Sequence, residues 1–164
     1  MPATDSATLK LRAQALQLHG VLSHWDTCCT EPWVGTLLDW EEHERSRRSM
    51  ERRLHSARIG RFKPLVDYDW GWPEQIDQAS VSELMTLQFL HSASNAILVG
   101  PSGVGKTTIA QNIAHQAVLQ GHTVMFTTAG KLLGELASLD SDSALRTRLR
   151  HYARPALLVI DEVG

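Results

Sequence analysis

In the middle of the chain a short apolar run, a glycine-rich loop and an apolar-periodic helix follow one another without interruption. The run Ala96 to Val99 suits a buried strand, and the helix after the loop carries Ile109, Ile113 and Ala117 at helical spacing. Two further apolar runs predict strands, at Thr123 to Thr127 and at Ala156 to Ile160. Because strand, helix and strand in this order are typical of a parallel sheet, we expect an α/β fold.

The loop itself reads Gly100-Pro101-Ser102-Gly103-Val104-Gly105-Lys106-Thr107, which matches the phosphate-loop pattern G-x-x-x-x-G-K-[ST]. A loop around a phosphate turns its N–H groups inward, which requires positive φ and therefore glycine, and the following helix N-terminus adds its dipole. We expect Lys106 to reach the β- and γ-phosphates and Thr107 to ligate Mg²⁺. The predicted nucleotide-binding residues are Gly100, Pro101, Ser102, Gly103, Val104, Gly105, Lys106, Thr107 and Thr108.

Two acids follow the last apolar run. Asp161 and Glu162 would lie at the carboxyl edge of the sheet, where open α/β sheets bind ligands. We expect Asp161 to hold Mg²⁺ and Glu162 to orient and deprotonate an attacking water, although Glu162 also fits an exposed loop carboxylate. A guanine-specific Asn-Lys-x-Asp motif is absent, since neither Asn95 nor Asn112 precedes a lysine. The expected ligands are therefore ATP and Mg²⁺.

Basic side chains are concentrated before this nucleotide-binding part. The 164 residues carry a net charge of −2, yet residues 41–63 hold eight Lys and Arg against four acids. This segment is predicted to be either a solvated, salt-bridged helix face or a contact for DNA backbone or a partner. The same alternatives, with a neighbouring subunit added, apply to Arg146, Arg148, Arg150 and Arg154. We divide the chain into a helical arm (1–63), a connector (64–79) and a nucleotide-binding part (80–164).

Helices are expected throughout the arm. Ser6 is the predicted cap and Gly20 the predicted end of a first helix, and a second should start after Pro32 and run towards Ile59. In the nucleotide-binding part, Ser80 and Glu83 form a candidate capping box.

The chain also contains five tryptophans and two cysteines. Trp33 and Trp40 are expected to pack the arm, and Trp70 and Trp72 to pack the connector or to stack on adenine. The adjacent Cys28 and Cys29 cannot complete a zinc site and fit a reducing cytoplasm. No apolar run approaches the roughly 18 residues of a membrane span, so no membrane association is expected.

Together these features resemble the IstB-type ATP-binding proteins, AAA+ helpers of insertion-sequence transposition that are related to the helicase loader DnaC. The resemblance rests on the phosphate loop, on Asp161-Glu162-Val163-Gly164 and on the lead-in helix Ser82–Leu90. It rests also on the Arg-rich helix followed by Arg61-Phe62-Lys63-Pro64 and Asp67-Tyr68-Asp69-Trp70. The resemblance implies an incomplete P-loop NTPase (AAA+) sheet that follows an N-terminal helical domain, and it implies ATP hydrolysis. The partners that it implies are DNA, a transposase and further copies of the chain.

Chains of that family continue past the Asp-Glu motif, so a truncated or incomplete sequence is expected here. The sensor strand, the arginine finger and the helical lid are missing from these residues, which favours ATP binding over turnover. In the AAA+ sheet a fourth strand separates the first from the third, so Ala96 to Val99 would lack its neighbour, whereas the other two strands can pair. The alternatives to a transposition helper are a DnaC-like helicase loader and a non-catalytic fragment that binds DNA or a partner.

Overall fold

A computed structural model describes residues 5–71 and 76–162, and the chain divides into two compact units, Met1–Ser49 and Met50–Gly164. The first unit contains helices α1 (Ser6–Ala15), α2 (His19–Ser23) and α3 (Trp25–Cys28). The boundary between the units falls inside a 25-residue helix, α4 (Trp33–Ala57). The second unit then adds a 3₁₀ turn (Leu65–Asp67), α5 (Gln78–Met85), α6 (Gln88–His91), α7 (Lys106–Leu119), β1 (Val124–Thr128), α8 (Ala129–Ala137), α9 (Asp142–Ala153) and β2 (Leu157–Asp161).

The first unit is held by a small apolar core and by one arginine. Its core consists of Ala13, Leu16, Trp25, Cys28, Val34 and Leu38. Arg12 on α1 donates from Nε to Glu42 Oε1 (2.8 Å) and from Nη2 to Asp39 Oδ1 (2.6 Å), both on α4. These hydrogen bonds raise the pKa of Arg12, and the bond from Arg12 lowers the pKa of Glu42. The guanidinium therefore links α1 to α4 at the edge of the core.

Helix α7 forms the centre of the second unit. The core there comprises Ala57, Ile59, Val81, Leu87, Ile109, Ile113, Ala114, Ala117, Val118 and Val124. The helix packs against both strands and against α5, because its small and β-branched residues recur on one face. Gly121 ends it as predicted, with φ of +93° and with its N–H donating to the Val118 carbonyl (3.0 Å).

The sheet consists, in the described residues, of two parallel strands. β1 pairs with β2 in the register Val124↔Leu157 to Thr128↔Asp161, and α8 and α9 form the crossover between them. Both strands begin one residue later than predicted, and their predicted pairing is confirmed. The fold class is also confirmed: a helical arm precedes a partial P-loop domain with a small parallel sheet.

The strand predicted at Ala96 to Val99 is wrong. Residues 95–100 are neither helix nor strand, and Ile97 and Val99 are 85% and 90% exposed. An apolar run becomes a strand only when its backbone groups pair with a neighbour, and among the described residues β1 and β2 pair with each other alone. Leu98 is the member of the run that packs against the core.

Three details of the predicted helices also differ. Asp5, not Ser6, precedes α1, and Gly20 lies inside α2. Asp77 caps α5 by accepting from Ser80 N (3.0 Å), so the proposed Ser80–Glu83 box does not form. The helix starts at Gln78, before Ser80, so the Ser80 N–H lies in the first turn and bonds to the Asp77 carboxylate rather than to Glu83.

The tryptophans of α4 face outward, contrary to prediction. Trp33 and Trp40 are 50% and 68% exposed, whereas Val34 and Leu38 are buried in the core of the first unit. Trp70 does pack against the second core, as predicted, and Trp72 lies outside the described residues. No helix in the described ranges is long and apolar enough to cross a membrane.

Candidate nucleotide-binding site

The glycine-rich loop has the backbone that its sequence requires. Gly103 and Gly105 take φ of +83° and +88°, and Gly105 directly precedes the first residue of α7. Gly100 is also tight, because a Cβ there would lie 3.3 Å from the Val104 side chain. Pro101, Ser102 and Gly103 are exposed, so the turn of the loop is open to a ligand. The helix N-terminus and the loop N–H groups together favour an anion here.

Lys106 folds back over the start of this loop. Its Nζ donates to the carbonyl oxygens of Gly100 (2.8 Å) and Pro101 (2.7 Å). The ammonium therefore lies beside the exposed turn, on the helix end that already favours negative charge. Phosphate oxygens carry formal charge and accept stronger hydrogen bonds than carbonyls, so a bound polyphosphate can draw the ammonium from these two oxygens.

Thr107 and Asp161 are brought together from two elements. Thr107 lies in the first turn of α7 and Asp161 is the last residue of β2. The Thr107 hydroxyl lies 3.1 Å and 2.9 Å from the two carboxylate oxygens of Asp161. A hydroxyl and a carboxylate are hard oxygen ligands, and Mg²⁺ in nucleotide sites needs one or two such groups beside phosphate and water oxygens. These two side chains therefore fit Mg²⁺ that is bound together with a nucleotide. In the described ranges, no group of three or more His, Cys, Asp or Glu side chains could hold a metal ion.

The remaining predicted residues flank this pair. Glu162 follows Asp161 with an exposed side chain and a φ of +57°, which is unusual for a residue other than glycine. Thr108 is half-buried, and its carbonyl accepts from Asn112 Nδ2 (2.8 Å). Their roles as base and as nucleotide contact stay predictions.

The segment that follows α4 (residues 58–71), called the connector from here on, reaches the same loop, and the sequence did not predict this contact. Tyr68 donates its hydroxyl to the Val104 carbonyl (2.5 Å), and its ring packs against Gly105. Asn112, buried on α7, accepts from Leu65 N (2.9 Å) and donates to the Lys63 carbonyl (2.9 Å). The available signal was a single polar residue, Asn112, next to Ile113 on the apolar face of a helix.

The two predicted basic surfaces carry ion pairs. On α4, Arg45 bonds to Glu41 (3.2 Å) and Arg48 to Glu44 (2.7 Å), as the i,i+4 spacing predicted. Arg47 also bonds to Glu44 (2.8 Å), and Arg47 and Arg48 lower the pKa of Glu44 to about 2. On α9, Arg148 pairs with Glu135 (3.2 Å), whereas the side chains of Arg146 and Arg150 are exposed.

Comparison with known proteins finds similarity to proteins that are named for ATP binding. The family model described as "IstB-like ATP binding protein" matches residues 4–164. A Pseudomonas aeruginosa protein named for ATP binding and for insertion sequence IS21 is 35% identical over 127 residues, covering 77% of this chain and 48% of its own. A similarly named protein of insertion sequence IS5376 from Geobacillus stearothermophilus is 31% identical over 128 residues, covering 78% and 51%. A third, of insertion sequence IS232 from Bacillus thuringiensis subsp. berliner, is 31% identical and covers 98% and 65%. The chain spans about half the length of the first two relatives.

Proposed function

Because the chain belongs to the family of IstB-like ATP-binding proteins, we propose that it binds MgATP through the loop Gly100–Thr107 and serves DNA transposition as an ATP-binding helper. The main support for nucleotide binding is the contact between Thr107 and Asp161 beside a loop in which two glycines have positive φ. The insertion-sequence names of the relatives support the transposition part.

In this proposal each residue of the site has one task. Loop N–H groups and Lys106 would bind the β- and γ-phosphates, and Thr107 and Asp161 would hold Mg²⁺. The metal would neutralise phosphate charge. Glu162 is the candidate base, since it directly follows Asp161 and its carboxylate is exposed to water.

DNA, a transposase and further copies of the chain are the proposed partners. The net charge of +4 in residues 41–63 and the exposed Arg146 and Arg150 support contact with DNA backbone. The ion pairs along α4 argue that DNA phosphates must compete there with Glu41 and Glu44. Arg146 and Arg150 are therefore our first candidates for phosphate contacts. Capture of a transposase, rather than a replicative helicase, would separate this proposal from a helicase loader.

The experiment that tests the nucleotide part is equilibrium binding of MgATP to the purified chain. Lys106→Ala should weaken binding at least tenfold, because a charge-assisted hydrogen bond to phosphate contributes about 1.5–3 kcal/mol. Lys10→Ala removes the same charge from an exposed position on α1 and should bind as the parent chain does. Equal binding by the parent chain and Lys106→Ala, or no binding by either, would contradict the proposal.

The same samples serve for DNA binding. The anisotropy of a labelled duplex, followed across a salt series, should show an affinity that falls steeply with salt. A slope near zero would remove DNA backbone from the proposed partners. DNA binding that is present in Lys106→Ala and insensitive to ATP would instead favour the inert binding fragment.

A further inference from the structure

The connector between α4 and α5 lies along α7 and ends against the phosphate loop. Gln111 Nε2 donates to the Ile59 carbonyl (2.9 Å), and Asn112 bonds to Lys63 and Leu65. Tyr68 then reaches the loop itself. These contacts place the connector first beside Gln111 and Asn112, five and six residues after Lys106, and then beside the loop. The connector is therefore attached to α7 and to the loop at successive positions along its length.

Tyr68 makes two different contacts at the loop. Its hydroxyl bonds to the carbonyl of Val104, which is the peptide that leads into Gly105. Its ring occupies the space beside Gly105, where a Cβ would lie 2.6 Å from Cε2 and 2.8 Å from the hydroxyl oxygen. The ring is itself supported by Trp70, at 4.9 Å between ring centroids. Both contacts restrict the peptide that links the loop to α7.

We propose that Tyr68 is a positioning residue that holds the Val104–Gly105 peptide of the loop in the conformation that binds the polyphosphate of a nucleotide. This inference rests on the proposed function. A loop whose peptides are fixed in advance loses less entropy when it wraps a phosphate, so a restraint from outside the loop raises affinity without contacting the ligand. The base and ribose play no part in this effect.

Tyr68→Phe tests the proposal, because it removes the hydroxyl and keeps the ring. We expect affinity for MgATP to fall roughly three- to tenfold, the effect of one hydrogen bond, and affinity for magnesium tripolyphosphate to fall by the same factor. Tyr152→Phe is the matched control. It removes a hydroxyl that donates to Glu135 Oε2 (2.7 Å) from a buried tyrosine of the same unit. It should lower thermal stability by a similar amount and leave both affinities unchanged.

The outcomes separate the alternatives. Unchanged affinity in Tyr68→Phe, or an equal loss in Tyr152→Phe, would overturn the proposal while MgATP binding by the parent chain stands. A loss for MgATP alone, with tripolyphosphate unaffected, would overturn it too, since Tyr68 would then contact the nucleoside. If the parent chain binds neither ligand, this inference and the proposed function are both wrong.

Discussion

Asn112→Ala should be the most damaging single amide substitution in the second unit. Asn112 is 7% exposed and bonds to two backbone groups of the connector, the Lys63 carbonyl and the Leu65 N–H. Each of those partners would lose its hydrogen bond in a partly enclosed place, at about 1–1.5 kcal/mol apiece. The higher helix propensity of alanine offsets about 0.5 kcal/mol. The net loss in free energy of unfolding is therefore about 2 kcal/mol.

Gln111→Ala provides the comparison at the neighbouring position. Gln111 makes one connector bond, to the Ile59 carbonyl, and is only half-buried, so its loss should stay below about 1 kcal/mol. At about 4 °C per kcal/mol for a unit of this size, the unfolding midpoint should fall by about 8 °C in Asn112→Ala and by about 3 °C in Gln111→Ala. Circular dichroism melts measure both. A loss in Asn112→Ala no greater than that in Gln111→Ala would refute the reasoning that two connector bonds depend on Asn112.

Two further predictions concern the loop and the acidic residues of α4. Gly105→Ala should lower the unfolding midpoint more than Gly103→Ala: both substitutions carry the cost of positive φ, but only the Cβ at 105 meets the Tyr68 ring, whereas nothing lies within 4 Å at 103. Equal losses would mean that the ring moves aside freely. The folded-state pKa of Glu44, about 2, lies below its ordinary 4.5, so its stabilising contribution is present above about pH 4.5 and is lost as pH falls towards 2. Helicity measured between about pH 5 and pH 2 should therefore fall more in the parent chain than in Glu44→Gln, and identical acid titrations would contradict the assignment.

Local patterns predicted much of this fold because they depend on nearby residues. The helix from Lys106 to Leu119 follows from its apolar spacing and from Gly121, and the ion pairs of α4 follow from i,i+4 spacing alone. The two faces of α4 illustrate the limit of such reasoning. Trp33 and Leu37 share one face of α4, and Val34 and Leu38 share another at the same spacing. The second face is the buried one, because it packs against α1 and α3. Periodicity cannot choose between two adjacent apolar stripes.

The candidate site also combines residues that short sequence motifs predict with residues that only long-range contacts bring there. The sequence predicted the loop glycines and Asp161 as site residues because short motifs contain them. Tyr68 lies 36 residues before Val104 along the chain, and no short motif connects them. The strand expected at Ala96 to Val99 failed for the complementary reason: its apolar residues are local, but a strand needs a pairing partner elsewhere in the chain.

These two departures from prediction are physically related. In the described part of the chain, α7 holds the loop from the C-terminal side, since Ile109 and Ile113 are buried in the core. On the N-terminal side, Ile97 and Val99 are exposed, and the described backbone that enters the loop is not part of a strand. A loop whose entering backbone is not paired in a sheet retains more conformations than a loop held by a strand on that side, and a bound phosphate must select among them. The bond from Tyr68 to Val104 restricts the loop from a third direction, through a connector that Asn112 attaches to α7. The affinity of this loop for a polyphosphate should therefore depend on the connector more strongly than its glycine motif alone would suggest.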